Sequence, residues 1–112
     1  MSKTDDKIVK YIAEAKKLGL NLSDELISKA TKALGPSIHK QDSETVSCTQ
    51  QSELDTVKKN FAQKKLGVTD EEKVDAAIKK TCETMGSSNR NKYRPLFYAL
   101  LAKELGKESI YA

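Results

Sequence analysis

The chain is poor in the residues that build β-sheets and turns. Its 112 residues include no tryptophan, two phenylalanines, four tyrosines, two prolines and five glycines. Strands favour aromatic and β-branched side chains, so this composition favours helices over strands. The chain is long enough for one small domain that builds its own core without cross-links.

Long hydrophobic runs are also missing. The longest, residues 96–102, has seven apolar residues, whereas a membrane-spanning helix needs about 20. The stretch MSKTDDKIVK at the start has no apolar centre like that of a signal peptide. We therefore expect a cytoplasmic protein that makes no membrane contact. In that reducing compartment Cys48 and Cys82 are expected to be free thiols.

Side chains that carry chemistry are equally sparse. His39 is the only histidine, and Asp42 and Cys48 follow it closely, but no nucleophile-elbow or protease signature surrounds them. One histidine and two distant cysteines cannot make a four-ligand zinc site. The acids in residues 70–75 lack the alternate spacing and central glycine of a calcium loop. The sequence thus predicts no catalytic residue, no metal and no cofactor.

Helical periodicity dominates what is present. Apolar residues recur at helical spacing in five segments. Four lie near residues 5–18, 24–34, 51–66 and 70–85, and the last one starts between residues 91 and 94 and ends near 105. Acids at the start of several segments and lysines at the end suit the helix dipole. Thr4, Ser23 and Thr69 are the expected N-caps, the last in a capping box with Glu72.

The phrase KKLG occurs twice, at residues 16–19 and 64–67, and KELGK closes the chain at residues 103–107. Lysines suit the last turn of a helix, and a glycine followed by a hydrophobe, here Leu20 or Val68, is typical of a helix end. We interpret the phrase as a helix-termination signal, with contact to a partner as a secondary possibility.

The two KKLG segments predict two αα-hairpins, residues 5–35 and 51–86. A polar connector, residues 36–50, joins them, and we expect a short helical turn at 37–40 and Ile38 and Val46 in the core.

The last segment, residues 87–112, holds a helix and a tail that folds back through residues 109–111. Residues 96–102 are apolar on nearly every side, which is typical of a buried helix. We therefore predict a single all-α domain, residues 1–112. It is a compact bundle of about five helices, in which two αα-hairpins pack around a buried C-terminal helix.

The net charge is +4, and the positive charge is concentrated near the NRNKYR turn. Residues 87–112 hold five lysines or arginines against two glutamates. Arginine, lysine and tyrosine together suit phosphate contact and base stacking, and the turn at 86–89 offers backbone N–H groups to an anion. The candidate anion or nucleic-acid contacts are Arg90, Lys92, Tyr93 and Arg94. The alternatives are a solvated surface turn and, for Tyr93, a core position.

Small helical bundles without catalytic residues often act through a surface groove or through self-association. We therefore expect a small non-enzymatic cytoplasmic protein-interaction module, with a protein partner or a second copy of itself. The alternative is a weak nucleic-acid or phosphate-binding protein that uses the basic turn at residues 90–94.

Four segments resemble a known family. They are SNRNKYRPLFYALLAKELGKESIY at the C-terminus, KALGPSI at 32–38, SETVS at 43–47 and DTVKKNFAQKKLG at 55–67. Together they are similar to an uncharacterised bacterial family, domain-of-unknown-function family 2853, in order and over nearly the whole chain. The resemblance implies a small cytoplasmic bacterial protein and no particular activity.

Overall fold

The computed structural model describes residues 3–35, 39, 44–86, 89 and 92–111. Five α-helices occur in these ranges: α1 (Lys3–Leu18), α2 (Asp24–Leu34), α3 (Gln51–Val57), α4 (Glu71–Met85) and α5 (Arg94–Glu104). A π-helical turn, Lys58–Gln63, continues α3, and a 3₁₀-helix, Glu108–Tyr111, follows α5. The described residues contain no β-strand, so the all-α prediction is confirmed.

The first hairpin follows its local signals closely. The Ser23 side chain accepts a hydrogen bond from the Leu26 N–H at 3.1 Å and caps α2 as predicted. At the end of α1, Gly19 has φ +70°, and the Leu20 N–H donates to the Ala15 carbonyl at 2.9 Å. These are the features of a Schellman helix end, so the first KKLG is a helix stop.

The second hairpin departs from the prediction of one helix over residues 51–66. The α-helix ends at Val57, and the next turn widens, with the Lys64 N–H bonded to the Lys59 carbonyl and the Leu66 N–H to the Phe61 carbonyl. These are i→i−5 bonds, the pattern of a π-helix. The wider turn keeps both Phe61 and Leu66 buried.

Two predicted N-caps are wrong. The helix α1 already includes Thr4, because it begins at Lys3. The helix α4 is capped by Asp70 rather than Thr69: its side chain accepts a hydrogen bond from the Lys73 N–H at 3.2 Å. Aspartate caps as well as threonine does, and with Asp70 at the N-cap the N3 residue is Lys73, so the predicted capping box with Glu72 does not form.

The last helix, α5, lies at the centre of the bundle. Eight of its eleven residues are buried, and it packs against α1, α2, α4 and the π-helical turn. Pro95 occupies the first turn, where its missing N–H costs no hydrogen bond. This confirms the expectation of a buried C-terminal helix. None of the described helices combines the length and the apolar composition needed to cross a membrane.

The connector and the tail both reach the core. Val46 is 3% exposed, as predicted for an apolar plug, and the 3₁₀-helix folds back so that Tyr111 is buried against the bundle. The predicted core position of Ile38 and the predicted helical turn at 37–40 lie outside the described residues, apart from His39 itself.

Candidate functional site

Three of the four residues predicted to contact anions lie mostly inside the molecule. Lys92, Tyr93 and Arg94 are only 6%, 8% and 9% exposed. The fourth predicted residue, Arg90, lies outside the described residues. The three described side chains therefore do not form a solvated cationic face, and their partners within the protein show why.

Arg94, at the start of α5, is the centre of a buried hydrogen-bond network. Its Nη1 donates to the Tyr98 hydroxyl at 3.0 Å, one turn further along α5. Its Nη2 donates to the Thr45 carbonyl at 3.2 Å and to the Glu53 carboxylate, with which it forms an ion pair. The guanidinium thus joins α5 to α3 and to the connector.

The charge on Arg94 is held in place by these partners. Burial opposes ionisation, but the Tyr98 and Glu53 side chains outweigh it and raise the pKa of Arg94. The guanidinium carbon also lies 5.5 Å from the centre of the Tyr98 ring, within cation–π range. Removing either member of such a pair leaves a buried charge uncompensated. The Arg94 cation therefore has a structural role.

Lys92 and Tyr93 hold the connector through the backbone. The Val46 N–H donates to the Lys92 carbonyl at 2.8 Å, and Thr45 forms an isolated antiparallel bridge with Tyr93. The Lys92 ammonium donates to the Asn89 carbonyl and so stays within its own turn. Residues 92 and 93 are therefore a surface on which residues 45 and 46 of the connector dock.

The Tyr93 ring packs against α1. Its centroid lies 5.0 Å from that of Tyr11, in a tilted arrangement. The Lys10 ammonium lies 4.6 Å from the centre of the Tyr93 ring. Tyr93 is thus a core residue, which is the alternative that the sequence left open.

Glu44 ties the connector to α1. Its Oε2 accepts hydrogen bonds from Lys7 Nζ at 2.7 Å, from the Tyr11 hydroxyl at 2.7 Å and from Lys10 Nζ at 3.3 Å. Burial works to raise the pKa of Glu44, but these donors outweigh it and the net pKa is lowered. Burial and the Glu44 carboxylate raise the pKa of Tyr11. Glu44 is therefore an ionised anchor at neutral pH.

We call residues 44–46, with the side chains that hold them, the connector clasp. Sequence reasoning found Val46 but missed the two acids, Glu44 and Glu53, because their partners lie 33 and 41 positions away and no local pattern marks them. The predicted anion or nucleic-acid contact at residues 90–94 stays a prediction, although three of its four side chains serve the fold.

Cys48 and Cys82 form a disulfide, so the expectation of two free thiols is wrong. The bond joins the turn before α3 to the last turn of α4, across 34 positions of sequence. The two cysteines meet only when the second hairpin folds, which the sequence spacing does not reveal. The bond also includes Cys48, the candidate nucleophile near His39 in the sequence.

The disulfide lines a cleft of about 390 Å³ between α3 and α4. Two lysines and two aspartates share the lining, namely Asp55, Lys58, Asp75 and Lys79. Lys58 Nζ lies 3.2 Å from the Asp75 carboxylate, and the hydrogen bond between them raises the pKa of Lys58. We call this the disulfide cleft. Within the described ranges, no three His, Cys, Asp or Glu side chains are grouped to hold a metal ion.

A smaller groove, of about 160 Å³, lies where the 3₁₀-helix packs on the bundle. Its lining is apolar or aromatic apart from one lysine: Ala33, Leu34, Phe61, Lys65, Tyr98, Ile110 and Tyr111. The Phe61 and Tyr98 rings stack with centroids 4.1 Å apart and together form one wall. We call this the C-terminal groove.

Three groove residues are exposed to solvent: Ala33, Lys65 and Ile110. Ile110 is 43% exposed; among the residues that the structure describes, the other exposed large apolar side chain is Val9, on α1. Lys65 belongs to the second KKLG, so this copy of the helix stop also contributes a cation to the groove. Burial raises the pKa of Tyr111, which therefore stays a neutral phenol.

Comparison with known protein families places the chain in a family. Over residues 10–109 the chain matches the family model described as Protein of unknown function (DUF2853). No curated protein matches the chain. The match spans the disulfide, the connector clasp apart from Lys7, and all but the last two residues of the 3₁₀-helix.

Proposed function

Because the chain belongs to the family described as Protein of unknown function (DUF2853), the family supplies no activity, and we propose a function from the surface of this protein. The protein is a non-enzymatic protein-interaction module that receives one apolar side chain of a partner protein in the C-terminal groove. The size, lining and exposure of that groove are the observation that supports the proposal.

The size of the groove suits a side chain better than a metabolite. Pockets for drug-sized ligands span about 300–1,000 Å³, whereas this groove holds about 160 Å³. A cavity of about 150 Å³ accommodates a benzene-sized group. A single leucine, methionine or phenylalanine of a partner is of that order, and such anchors in apolar pockets supply much of the energy of protein interfaces.

The charge at the C-terminal groove indicates which kind of partner segment would bind there. Lys65 is exposed at the groove, and the whole chain carries a net charge of +4. An acidic side chain beside the apolar anchor would meet Lys65 and would be attracted by the overall field. The proposed partner is therefore a protein segment that presents one large apolar residue next to an acidic one.

We propose a cytoplasmic location for this interaction. Small secreted domains are commonly dense in disulfides, whereas this chain has two cysteines in 112 residues. A disulfide in the cytoplasm is usually transient, catalytic or redox-sensing. Trapping the thiols with an alkylating agent in intact cells tests the location, and a mostly reduced pair is expected.

Capture from a nuclease-treated lysate of the host tests the function. Wild type is compared with Ile110→Asp and Lys65→Glu, which alter the groove. The control is Val9→Asp, which places the same charge at the other exposed large apolar side chain of the described residues. We expect one protein to be captured by wild type and by Val9→Asp, and to be lost with both groove variants.

Three other outcomes would contradict the proposal. If the groove variants capture the same protein as wild type, the interface lies elsewhere on the surface. Material that is captured from untreated lysate but lost after nuclease treatment would favour the alternative, nucleic-acid binding near residues 90–94. A dimer of the chain in sedimentation velocity that Ile110→Asp dissociates would make the partner a second copy.

A further inference from the structure

We propose that the Cys48–Cys82 disulfide is a thiol–disulfide exchange site, and that small thiols entering the disulfide cleft reduce it. We further infer that its redox state sets the order of the first turn of α3. This site is separate from the C-terminal groove and does not depend on the interaction proposed there.

Access to the disulfide is the first support. Cys48 and Cys82 are both only partly buried, and both line the cleft of about 390 Å³. That volume lies within the range of about 300–1,000 Å³ that admits small ligands. Exposed disulfides belong to the class that is readily reduced, whereas well-buried structural ones resist reduction.

The exchange balances with a dithiol as the reductant. One thiolate of the dithiol attacks a sulfur of the Cys48–Cys82 bond, which breaks and releases the other cysteine as a thiolate that takes a proton from solvent. The second thiol of the reductant then attacks the mixed disulfide. The reductant leaves as a cyclic disulfide, and the remaining cysteine is released as a thiol. Two electrons and two protons pass to the protein.

The position of Cys48 explains why reduction affects α3. Gln50, the N-cap residue of α3, makes no side-chain capping hydrogen bond, and the α-helical part is only seven residues long. Short helices without caps are weakly held. The bond from Cys48 to α4, two residues before the cap position, fixes the start of the helix instead.

Glu53 connects this turn to the buried ion pair. It lies in the first turn of α3, and its carboxylate accepts from Arg94. If that turn loosens, Glu53 holds Arg94 less firmly. The connector clasp keeps two other contacts: Glu44 accepts a hydrogen bond from Tyr11 of α1, and the Val46 N–H donates to the Lys92 carbonyl. Reduction therefore acts locally, and the rest of the bundle stays folded.

The accessibility of the bond is tested on the full chain with dithiothreitol at neutral pH. Free thiols are trapped with iodoacetamide and counted by intact mass, under native conditions and in concentrated urea. We expect the native rate to lie within about tenfold of the rate in urea. A native rate about a thousandfold slower, equal to the rate of global unfolding, would show that the bond is a closed structural link.

The local effect is tested by amide hydrogen exchange on the oxidised and the reduced protein. We expect the amides of Glu53 and Leu54, which donate to the Gln50 carbonyl, to exchange at least about tenfold faster after reduction. They should also exchange before the amides of α1, α2 and α5, which exchange only when the whole bundle unfolds. Oxidised glutathione should restore the slow exchange. Unchanged exchange of these two amides, or exchange at one common rate throughout the chain, would overturn the proposal.

Discussion

Arg94 and Glu53, 41 positions apart, form an ion pair that joins the first turn of α5 to the first turn of α3. The same guanidinium donates to the Thr45 carbonyl and to the Tyr98 hydroxyl. A basic residue that would suit phosphate binding in an exposed turn is thus used inside the protein. We therefore expect replacement of Arg94 or of its partner to lower the stability of the fold.

We expect Glu53→Gln to lower the free energy of unfolding by about 2 kcal/mol, because it leaves the Arg94 charge with a neutral partner in a largely buried site. Urea denaturation measures the change. The matched control is Asp55→Asn, which removes an exposed acid from the same helix and should cost less than about 0.5 kcal/mol. Equal effects of the two variants would contradict a structural role for the pair.

The Glu44 anchor predicts a particular pH dependence. Because its pKa is lowered in the folded state, its contribution is complete above the unfolded carboxyl pKa of about 4.3 and is lost as pH falls through the lower folded value. Glu44→Gln should therefore cost about 1–2 kcal/mol at neutral pH. It should cost progressively less at acid pH.

Thermal unfolding at several pH values checks the Glu44 prediction. Glu83→Gln is a suitable control, since Glu83 is exposed on α4 and its replacement should change stability by less than about 0.5 kcal/mol. A Glu44→Gln curve that runs parallel to wild type from neutral to acid pH would show that the carboxylate has no special ionisation.

The disulfide should also contribute to global stability. Closing a loop of sequence separation 34 constrains the unfolded chain, and the entropic estimate is about 3–4 kcal/mol. We expect Cys48→Ser combined with Cys82→Ser to lose that amount in urea denaturation and still to fold, since small domains have about 5–15 kcal/mol in all. A loss below about 1 kcal/mol would imply that the reduced chain retains the same constraint.

The second KKLG predicts a backbone effect at Gly67. Its φ is +72°, a left-handed conformation, and a Cβ there would meet nothing within 4 Å. Gly67→Ala should therefore cost about 1–2 kcal/mol from backbone strain alone. Gly67→Asn should cost less, because asparagine tolerates this conformation better. Equal losses for both, measured by thermal unfolding, would contradict this explanation.

Local signals located much of the fold. The bounds of α2 were predicted to the residue, since Ser23 caps it and Gly35 ends it. The start of α4 was misplaced by one position because Thr69 stands beside Asp70, an equally good cap. The π-helical turn could not be predicted, since the apolar residues of that segment suit an α-helix as well as a wider one.

The contacts that form the candidate sites join residues that lie far apart in the sequence. The pairing of Arg94 with Glu53 and of Cys48 with Cys82 depends on how the hairpins and α5 pack, and the residues between them carry no signal of it. The sequence shows that Lys92 and Arg94 are basic. It does not show that they are buried, because their burial depends on the described part of the connector that docks on them.

Photo-crosslinking from position 110 compares the C-terminal groove with another surface of the protein. A benzophenone amino acid is placed at position 110 in one sample and at position 9 in another, in nuclease-treated host lysate. The groove proposal predicts one protein adduct from position 110 and not from position 9, competed by untagged wild type but not by Ile110→Asp. The same adducts from both positions, or none from position 110, would contradict it.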